Sequence, residues 1–256
     1  MSVWDEIQEQ QKKMKGKSLK EKWLYFWDYY KVHTLVTALV IACGAWFIYD
    51  VVSAKDEAFS AILLNAYGQS EQASFAADFA AYAGIDTNTY ECNIDTIGTL
   101  DYSTLAQADY AYSQRIYALT QANGLDVLIS DTEPFDNYAT SEFFLDLRKE
   151  LTEEEYEKFE PHFFYVDGAA IAARDNGAEP VYDENGLLQV SDPSIDHSDP
   201  TSMEDPIPVG IYLEDCEKLA QWNCYTFMEE TPIFGFVCTS ERKELAHQFL
   251  QYLTEE

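Results

Sequence analysis

Four polar side chains follow apolar segments of this sequence at positions where a parallel sheet would form a ligand site. Asn65 and Tyr67 come after one apolar segment, and Asp131 and Glu133 come after another. In open parallel sheets, ligands bind beyond the carboxyl ends of the strands. An amide, a phenol and two carboxylates together suit cationic or hydroxyl-rich groups. We therefore predict a ligand-binding site at these residues; the alternative is that they are ordinary turn formers.

Other polar groupings give weaker signals for metal binding or catalysis. The acidic loop 192–205 offers oxygen ligands suited to Ca²⁺ but lacks EF-hand spacing, so a solvated loop is the preferred interpretation. The four histidines are scattered, and neither a G-x-S-x-G elbow nor an H-E-x-x-H motif occurs. Glycine-rich phosphate loops are also absent from the sequence. We therefore predict no metal, no cofactor and no enzymatic activity.

The five cysteines do not have the spacing of a metal site, since no CxxC occurs. Cys43 lies in a long apolar run, and the other four follow it. Cys92 and Cys238 lie in apparent strands and are predicted to be buried free thiols. For Cys216 and Cys224, a disulfide is an alternative to two free thiols.

Strands and helices that would position the predicted site alternate along the chain. The apolar run 58–64 is typical of a strand buried on both faces, and strands are also predicted at 90–94 and 126–130. Helical spacing of apolar residues predicts helices over 72–82 and 104–123. This alternation indicates an α/β fold with a parallel sheet and right-handed crossovers.

The pattern changes after residue 150. Thr152 and Glu155 form a capping box that starts a short helix. Residues 163–190 are predicted to form a β-hairpin insertion that turns at an Asn-Gly pair, 185–186. Ser240 is predicted to cap a final helix. Two further strands are predicted at 208–213 and 233–238. The expected fold is a mostly parallel sheet flanked by helices, with a hairpin insertion.

A run of 18 residues without formal charge lies between Lys31 and Asp50. A helix of that length spans about 27 Å, close to the thickness of a bilayer's hydrocarbon core. Seven lysines precede the run and aromatic residues flank both ends, which predicts a membrane span with a cytoplasmic N-terminus. We therefore predict a cytoplasmic amphipathic helix at 1–31, a transmembrane helix at 32–54 and an extracellular domain at 55–256.

Two alternatives to a retained anchor remain open. The Val-Ser-Ala sequence at 52–54 resembles a signal-peptide cleavage site, although the segment before the apolar run is long and rich in aromatic residues. The Val-Ile-Ala-Cys sequence at 40–43 resembles a lipoprotein acylation site, although the chain stays apolar after Cys43. The retained anchor is the preferred interpretation.

Charge is divided unevenly along the chain. Residues 1–31 carry seven lysines and five acids, a net +2, whereas residues 32–256 carry nine basic and 41 acidic residues, a net −32. A domain this acidic repels nucleic acid. Nucleic acid is therefore not an expected partner. The expected partners are the lipid bilayer, through the apolar run, and a small solute or peptide or other membrane proteins.

Residues 115–151 resemble the core signature of extracellular solute-binding proteins with the type 2 periplasmic-binding fold. The matching residues are Gly124, Asp126-Val127, Phe135 and Phe144-Leu145-Asp146-Leu147. Residues 233–253 are similar to the late strand and helix of that family. The N-terminal stretch YFWDYYK is similar to one in uncharacterised membrane proteins of Gram-positive bacteria.

The resemblance implies a solute-binding lobe whose loops after the first and third strands contact ligand, which assigns that role to Asn65, Tyr67, Asp131 and Glu133. A domain of about 200 residues would reduce the second lobe of that family to the 163–206 region. The implied function is a membrane-tethered extracellular binding module whose ligand is unknown. The alternative is a structural or interaction subunit of a membrane assembly whose binding fold has lost its ligand site.

Overall fold

Two compact units make up the chain in a computed structural model. The structure describes residues 18–67, 71–100, 107–175, 195–226 and 230–255. The first unit is Met1–Ala54 and the second is Lys55–Glu256.

The first unit contains one long helix, α1, Leu19–Ser53, of 35 residues. Its segment Tyr30–Ser53 is long and apolar enough to cross a membrane. One apolar N-terminal helix was predicted and is present. The predicted amphipathic helix at 1–31 lies partly outside the described residues, and its described part is continuous with the apolar segment because no Pro or Gly interrupts the sequence between Leu19 and Cys43.

A six-stranded sheet forms the centre of the second unit, in the order β2-β1-β3-β6-β5-β4. The strands are β1 Asp56–Leu63, β2 Tyr90–Asp95, β3 Val127–Ser130, β4 Phe163–Asp167, β5 Pro206–Tyr212 and β6 Ile233–Phe236. β1 pairs in parallel with β2 and β3, as predicted, whereas the other three pairings are antiparallel. The sheet is therefore mixed, and the prediction of a mostly parallel sheet is wrong.

The antiparallel half arises because its connections return at the same edge of the sheet. β5 ends at Tyr212, which is paired with Ile233, the first residue of β6. β4 likewise ends at Asp167, which is paired with Pro206, the first residue of β5. A connection that does not cross back over a face of the sheet makes the next strand antiparallel.

Helices cover both faces of the sheet. They are α2 Gln72–Tyr82, α3 Gln107–Gln121, α4 Thr132–Ala139, α5 Leu147–Glu150, α6 Glu153–Phe159, α7 Gly168–Asp175, α8 Glu217–Gln221 and α9 Lys243–Thr254. Successive β1 residues alternate between two cores: Leu63 belongs to the core that contains Phe79 and Phe249, whereas Ile62 belongs to the core on the other face that contains Phe135. Burial on both faces explains the continuous apolar run of β1.

The predicted hairpin at 163–190 is the main error in the second unit. Its first segment forms β4, but residues 168–175 form a helix, and β4 pairs with β5 instead. The run of alanines in this helix has high helix propensity, and the Asp167 carboxylate accepts the Ala169 N–H at 3.0 Å. The predicted turn at 185–186 lies outside the described residues.

Several smaller predictions can be compared directly. The capping box of Thr152 and Glu155 is confirmed. Ser240 does not cap the final helix, whose N-cap is Arg242; the Ser240 hydroxyl instead donates to Asp126. All five cysteines are free thiols, so the alternative disulfide is not formed, and Cys238 is exposed rather than buried.

Candidate functional site

The carboxyl ends of β1 and β3 lie side by side, because these strands pair in parallel with Leu63 opposite Ile129. Asn65 follows β1 and Asp131 follows β3, and their side chains are in contact. The Asn65 amide Nδ2 donates to Asp131 at 2.9 Å from Oδ1 and 3.1 Å from Oδ2. The structure thus brings together two of the four residues predicted for ligand binding.

Asn65 is held by its own backbone and by the loop after β2. Its φ of 58° is left-handed, a conformation that Asn tolerates better than most residues. The Asn65 N–H donates to the Gly98 carbonyl at 2.8 Å, and the side-chain Oδ1 accepts the Leu100 N–H at 2.9 Å. Nδ2 also donates to the Leu100 carbonyl at 3.1 Å. Asn65 therefore presents its amide to Asp131 from a fixed position.

Asp131 precedes α4 and is half-buried. Burial raises the pKa of its carboxyl from 3.8 to about 6; the Asn65 hydrogen bond opposes this shift, and the carboxylates of Glu230 and Glu133 add to it. Glu230 lies at the start of α4, where its Oε2 accepts the Thr132 N–H at 3.2 Å. Three carboxylates therefore surround the first turn of this helix.

The other two predicted residues lie on the surface. Tyr67 exposes 63% of its area, so its ring is available for stacking. Its φ of 57° is left-handed, which is uncommon for an aromatic residue. Glu133 is exposed in the first turn of α4.

Tyr225, which the sequence analysis did not single out, is hydrogen-bonded to the carboxyl ends of both β1 and β3. Its hydroxyl lies 2.6 Å from the Leu64 carbonyl oxygen and 3.0 Å from that of Ile129, and donates to them. Its backbone N–H donates to the Ala66 carbonyl at 3.1 Å. The side chain is buried, which raises the pKa of its phenol. Leu64 and Tyr225 are 161 residues apart, and no local pattern predicts such a contact.

In the part of the chain that the structure describes, no lysine or arginine is paired with the Asp131 carboxylate. Each of the nine lysines and arginines after residue 54 contacts a residue other than Asp131. The partners are Thr87 for Lys55, Asp95 for Arg115, Asp146 for Arg148 and Lys149, Phe159 for Lys158, Thr140 for Arg174, Asp78 for Lys218, Asp126 for Arg242 and Glu150 for Lys243. A positive charge brought by a ligand would therefore relieve repulsion among these carboxylates.

The acidic loop 192–205 is described from Ile195 onward. There Asp196 and Asp199 accept the hydroxyls and backbone N–H groups of Ser198 and Thr201, which makes them local turn residues. His197 is buried, contrary to the expectation of a solvated loop, because its ring stacks on Phe164 with centroids 4.2 Å apart. The described residues contain no group of three or more His, Cys, Asp or Glu that could hold a metal ion.

The fold and site define an α/β domain with a six-stranded mixed sheet, preceded by one apolar helix long enough to span a membrane. Comparisons with protein-family models, with curated proteins and with solved structures find no match for this chain.

Proposed function

We propose that this protein is a membrane-tethered extracellular binding module, related to the solute-binding proteins, that holds a positively charged group of its ligand against Asp131. One observation carries the proposal. Asp131 is a half-buried carboxylate between two other carboxylates, and every lysine and arginine of the domain is engaged elsewhere. Carboxyl groups that have a strongly shifted pKa and no cationic partner in the protein are typical of functional sites.

The surrounding residues give the proposed site its other properties. Asn65 fixes the orientation of the Asp131 carboxylate through two hydrogen-bond contacts. Tyr67 supplies an exposed aromatic face on which a cation can rest. Glu133 and Glu230 make the local potential more negative and favour the approach of a cation. The proposal includes no catalytic step.

A thermal-shift screen of the full chain in detergent micelles tests this function. The compounds are organic amines and guanidines, amino acids, short peptides, sugars and Ca²⁺. A ligand that binds only the native state raises the melting temperature. We expect a shift with compounds that carry a positive charge, and none with neutral sugars that lack one.

Two variants locate the site once a compound is found. Asp131→Asn combined with Tyr67→Ala is expected to weaken binding at least about tenfold, or about 1.4 kcal/mol, because it removes the charge and the stacking face. Glu153→Gln serves as the control, because it neutralises an exposed carboxylate of α6 that is not part of the proposed site. This variant should bind normally. Unchanged affinity in the double variant would place the ligand elsewhere.

A second function, an interaction subunit whose fold has lost its ligand site, is favoured by Tyr225. Its hydroxyl bonds to backbone carbonyls at the ends of β1 and β3, and the Asn65 amide is already satisfied by Asp131 and Leu100. In that case the screen yields no shift with any compound. Chemical crosslinking in native membranes would instead capture the chain in a complex with other membrane proteins.

The proposed topology has its own test, motivated by the seven lysines before the apolar run. Protease added to intact cells should digest the acidic domain and spare an epitope placed at the N-terminus. Loss of the epitope in intact cells would show that the N-terminus lies outside the cell. Release of the whole domain into the growth medium would indicate a cleaved signal instead of an anchor.

A further inference from the structure

A cavity of about 330 Å³ opens where β5 ends and β4 begins. It lies among the segment before β4, the turn after β5 and the C-terminal end of α9. β5 runs in the same direction as β1 and β3, since it is antiparallel to β6 and β6 is antiparallel to β3. The cavity therefore lies at the same end of the strands as Asp131, and β5 is two positions away from β3 in the sheet.

The floor of the cavity is apolar. Phe159, Ile211, Leu213 and Leu253 line it, and each belongs to the hydrophobic core and is at most 5% exposed. They come from three elements that pack tightly, so the floor is preformed. A preformed apolar floor binds the hydrocarbon part of a small molecule.

The rim of the cavity is mainly acidic. Four carboxylates, those of Glu214, Asp215, Glu217 and Glu255, line it against Lys158 and His162. Among the described residues, the only ion pair of these four is between Glu214 and His162, with oxygen and nitrogen 3.5 Å apart. Lys158 lies over the Phe159 ring, with Nζ 4.9 Å from its centroid. Negative charge therefore exceeds positive charge around an apolar floor.

We propose that this cavity is a second ligand site, independent of the one at Asp131, and that it binds a small organic ammonium ion with an apolar body. The hydrocarbon part lies on Phe159, Leu213 and Leu253, and the ammonium group donates hydrogen bonds to Glu214 and Asp215. The charge of the rim complements the cation, and contact with the floor removes apolar surface of the ligand from water. A carboxylate of the same shape is repelled.

Three matched probes separate these contributions in the full chain in detergent micelles. The first is 2-phenylethylamine, which has both the ring and the ammonium group. The second, 3-phenylpropanoate, replaces the ammonium by a carboxylate, and the third, ethylamine, lacks the ring. Calorimetric titration should show that 2-phenylethylamine binds at least about tenfold more tightly than either of the others. Equal binding by 3-phenylpropanoate would overturn the proposal.

Variants then assign the binding to the cavity. Glu214→Gln with Asp215→Asn should weaken 2-phenylethylamine binding about tenfold by removing two acceptors. Thr254→Trp, which places a large ring in the cavity from α9, should abolish binding in the cavity. Glu153→Gln is the control and should leave it unchanged. If the cavity variants bind normally, the proposal is wrong.

Asp131→Asn distinguishes this site from the other one. The proposal expects this variant to keep a binding site for 2-phenylethylamine that the Glu214 and Asp215 double variant lacks. If binding is lost in Asp131→Asn but retained in the Glu214 and Asp215 double variant, the amine occupies the site at Asp131. That result overturns the second site and supports the proposed function.

Discussion

An aspartate lies at each end of the β1–β3 pair, fully buried at the amino end and half-buried at the carboxyl end. At the amino end, Asp126 is fully buried and accepts hydrogen bonds from the Ser60 N–H at 2.8 Å and the Ser240 hydroxyl at 2.6 Å. The Arg242 Nε lies 3.0 Å from both of its carboxylate oxygens. At the carboxyl end, Asp131 has the Asn65 amide, and its nearby charges are the carboxylates of Glu230 and Glu133.

The two aspartates therefore affect the stability of the fold differently. The compensated carboxylate at the amino end ties β1, β3 and the start of α9 together, since Arg242 also donates to the Glu57 carbonyl at 3.0 Å. The uncompensated carboxylate at the carboxyl end costs folding free energy, because burial and repulsion disfavour its charge. The binding role proposed for Asp131 would account for a carboxylate that lowers the stability of its own fold.

The largest expected effect comes from breaking the amino end. Arg242→Ala leaves the buried Asp126 charge without a cation and should lower the free energy of unfolding by about 3 kcal/mol or more. Urea unfolding of the full chain in detergent, followed by tryptophan fluorescence, measures this loss.

The adjacent residue is a matched control for Arg242. Lys243 forms its ion pair with Glu150 nearer the surface, so Lys243→Ala should cost less than about 1 kcal/mol. Equal losses in the two variants would show that Asp126 does not depend on its arginine.

The second prediction has the opposite sign. Asp131→Asn removes an unfavourable charge while keeping an oxygen that can accept from Asn65, so it should raise the free energy of unfolding at pH 8 by about 1–2 kcal/mol. The same urea titration measures the gain. A loss of stability at pH 8 would show that the carboxylate is compensated after all.

The gain from Asp131→Asn should depend on pH. The pKa of Asp131 is about 6 in the folded protein, above the usual 3.8, so the native state takes up this proton first as pH falls. Wild-type stability therefore improves relative to the variant as pH falls from about 7 towards 4, and the difference disappears below about pH 4. A difference that stays constant across this range would assign the gain to another cause.

The smallest effect is expected at Tyr225. Tyr225→Phe removes the hydroxyl that bonds the Leu64 and Ile129 carbonyls, and should cost about 1 kcal/mol. The Ile129 carbonyl keeps the Leu64 N–H as a donor, so mainly the Leu64 carbonyl loses its partner. Binding at Asp131 should persist in this variant. A loss of binding equal to that of Asp131→Asn would make the hydroxyl part of the site.

Local patterns were sufficient to predict the parallel half of the sheet. The apolar run of β1 and the spacing of Phe75 and Phe79 in α2 reflect burial that each segment shows in its own sequence. The parallel β1–β3 pair brought Asn65 and Asp131 together, as the geometry of strand ends requires. Ser240 was misassigned because its hydroxyl satisfies a carboxylate 114 residues away, which no local pattern records.

The other half of the sheet was harder to predict for a physical reason. β4 and the alanine-rich α7 are both largely apolar and meet directly at Asp167-Gly168, and alternation alone does not separate a strand from a short helix that follows it. The role of Tyr225 depends on the loop between β5 and β6 folding back over β1, a long-range contact. Local sequence patterns thus predict the α/β class and the order of the strands along the chain, whereas they do not predict the long-range contact of Tyr225 with the ends of β1 and β3.

The direct connection between α1 and β1 has a mechanical consequence. The helix ends at Ser53 and the strand begins at Asp56, so two residues, Ala54 and Lys55, join them. If α1 spans a membrane, as proposed, tension would enter the fold at Asp56, which pairs with Tyr90 of β2, whereas the pairing with β3 begins at Ala61. A pull along this strand would therefore load the β1–β2 hydrogen bonds first and the β1–β3 hydrogen bonds after them, so resistance to force depends on the rate of unfolding. The proposed anchor would thus pass load to β1, a strand inside the sheet, and not to the edge strands β2 and β4.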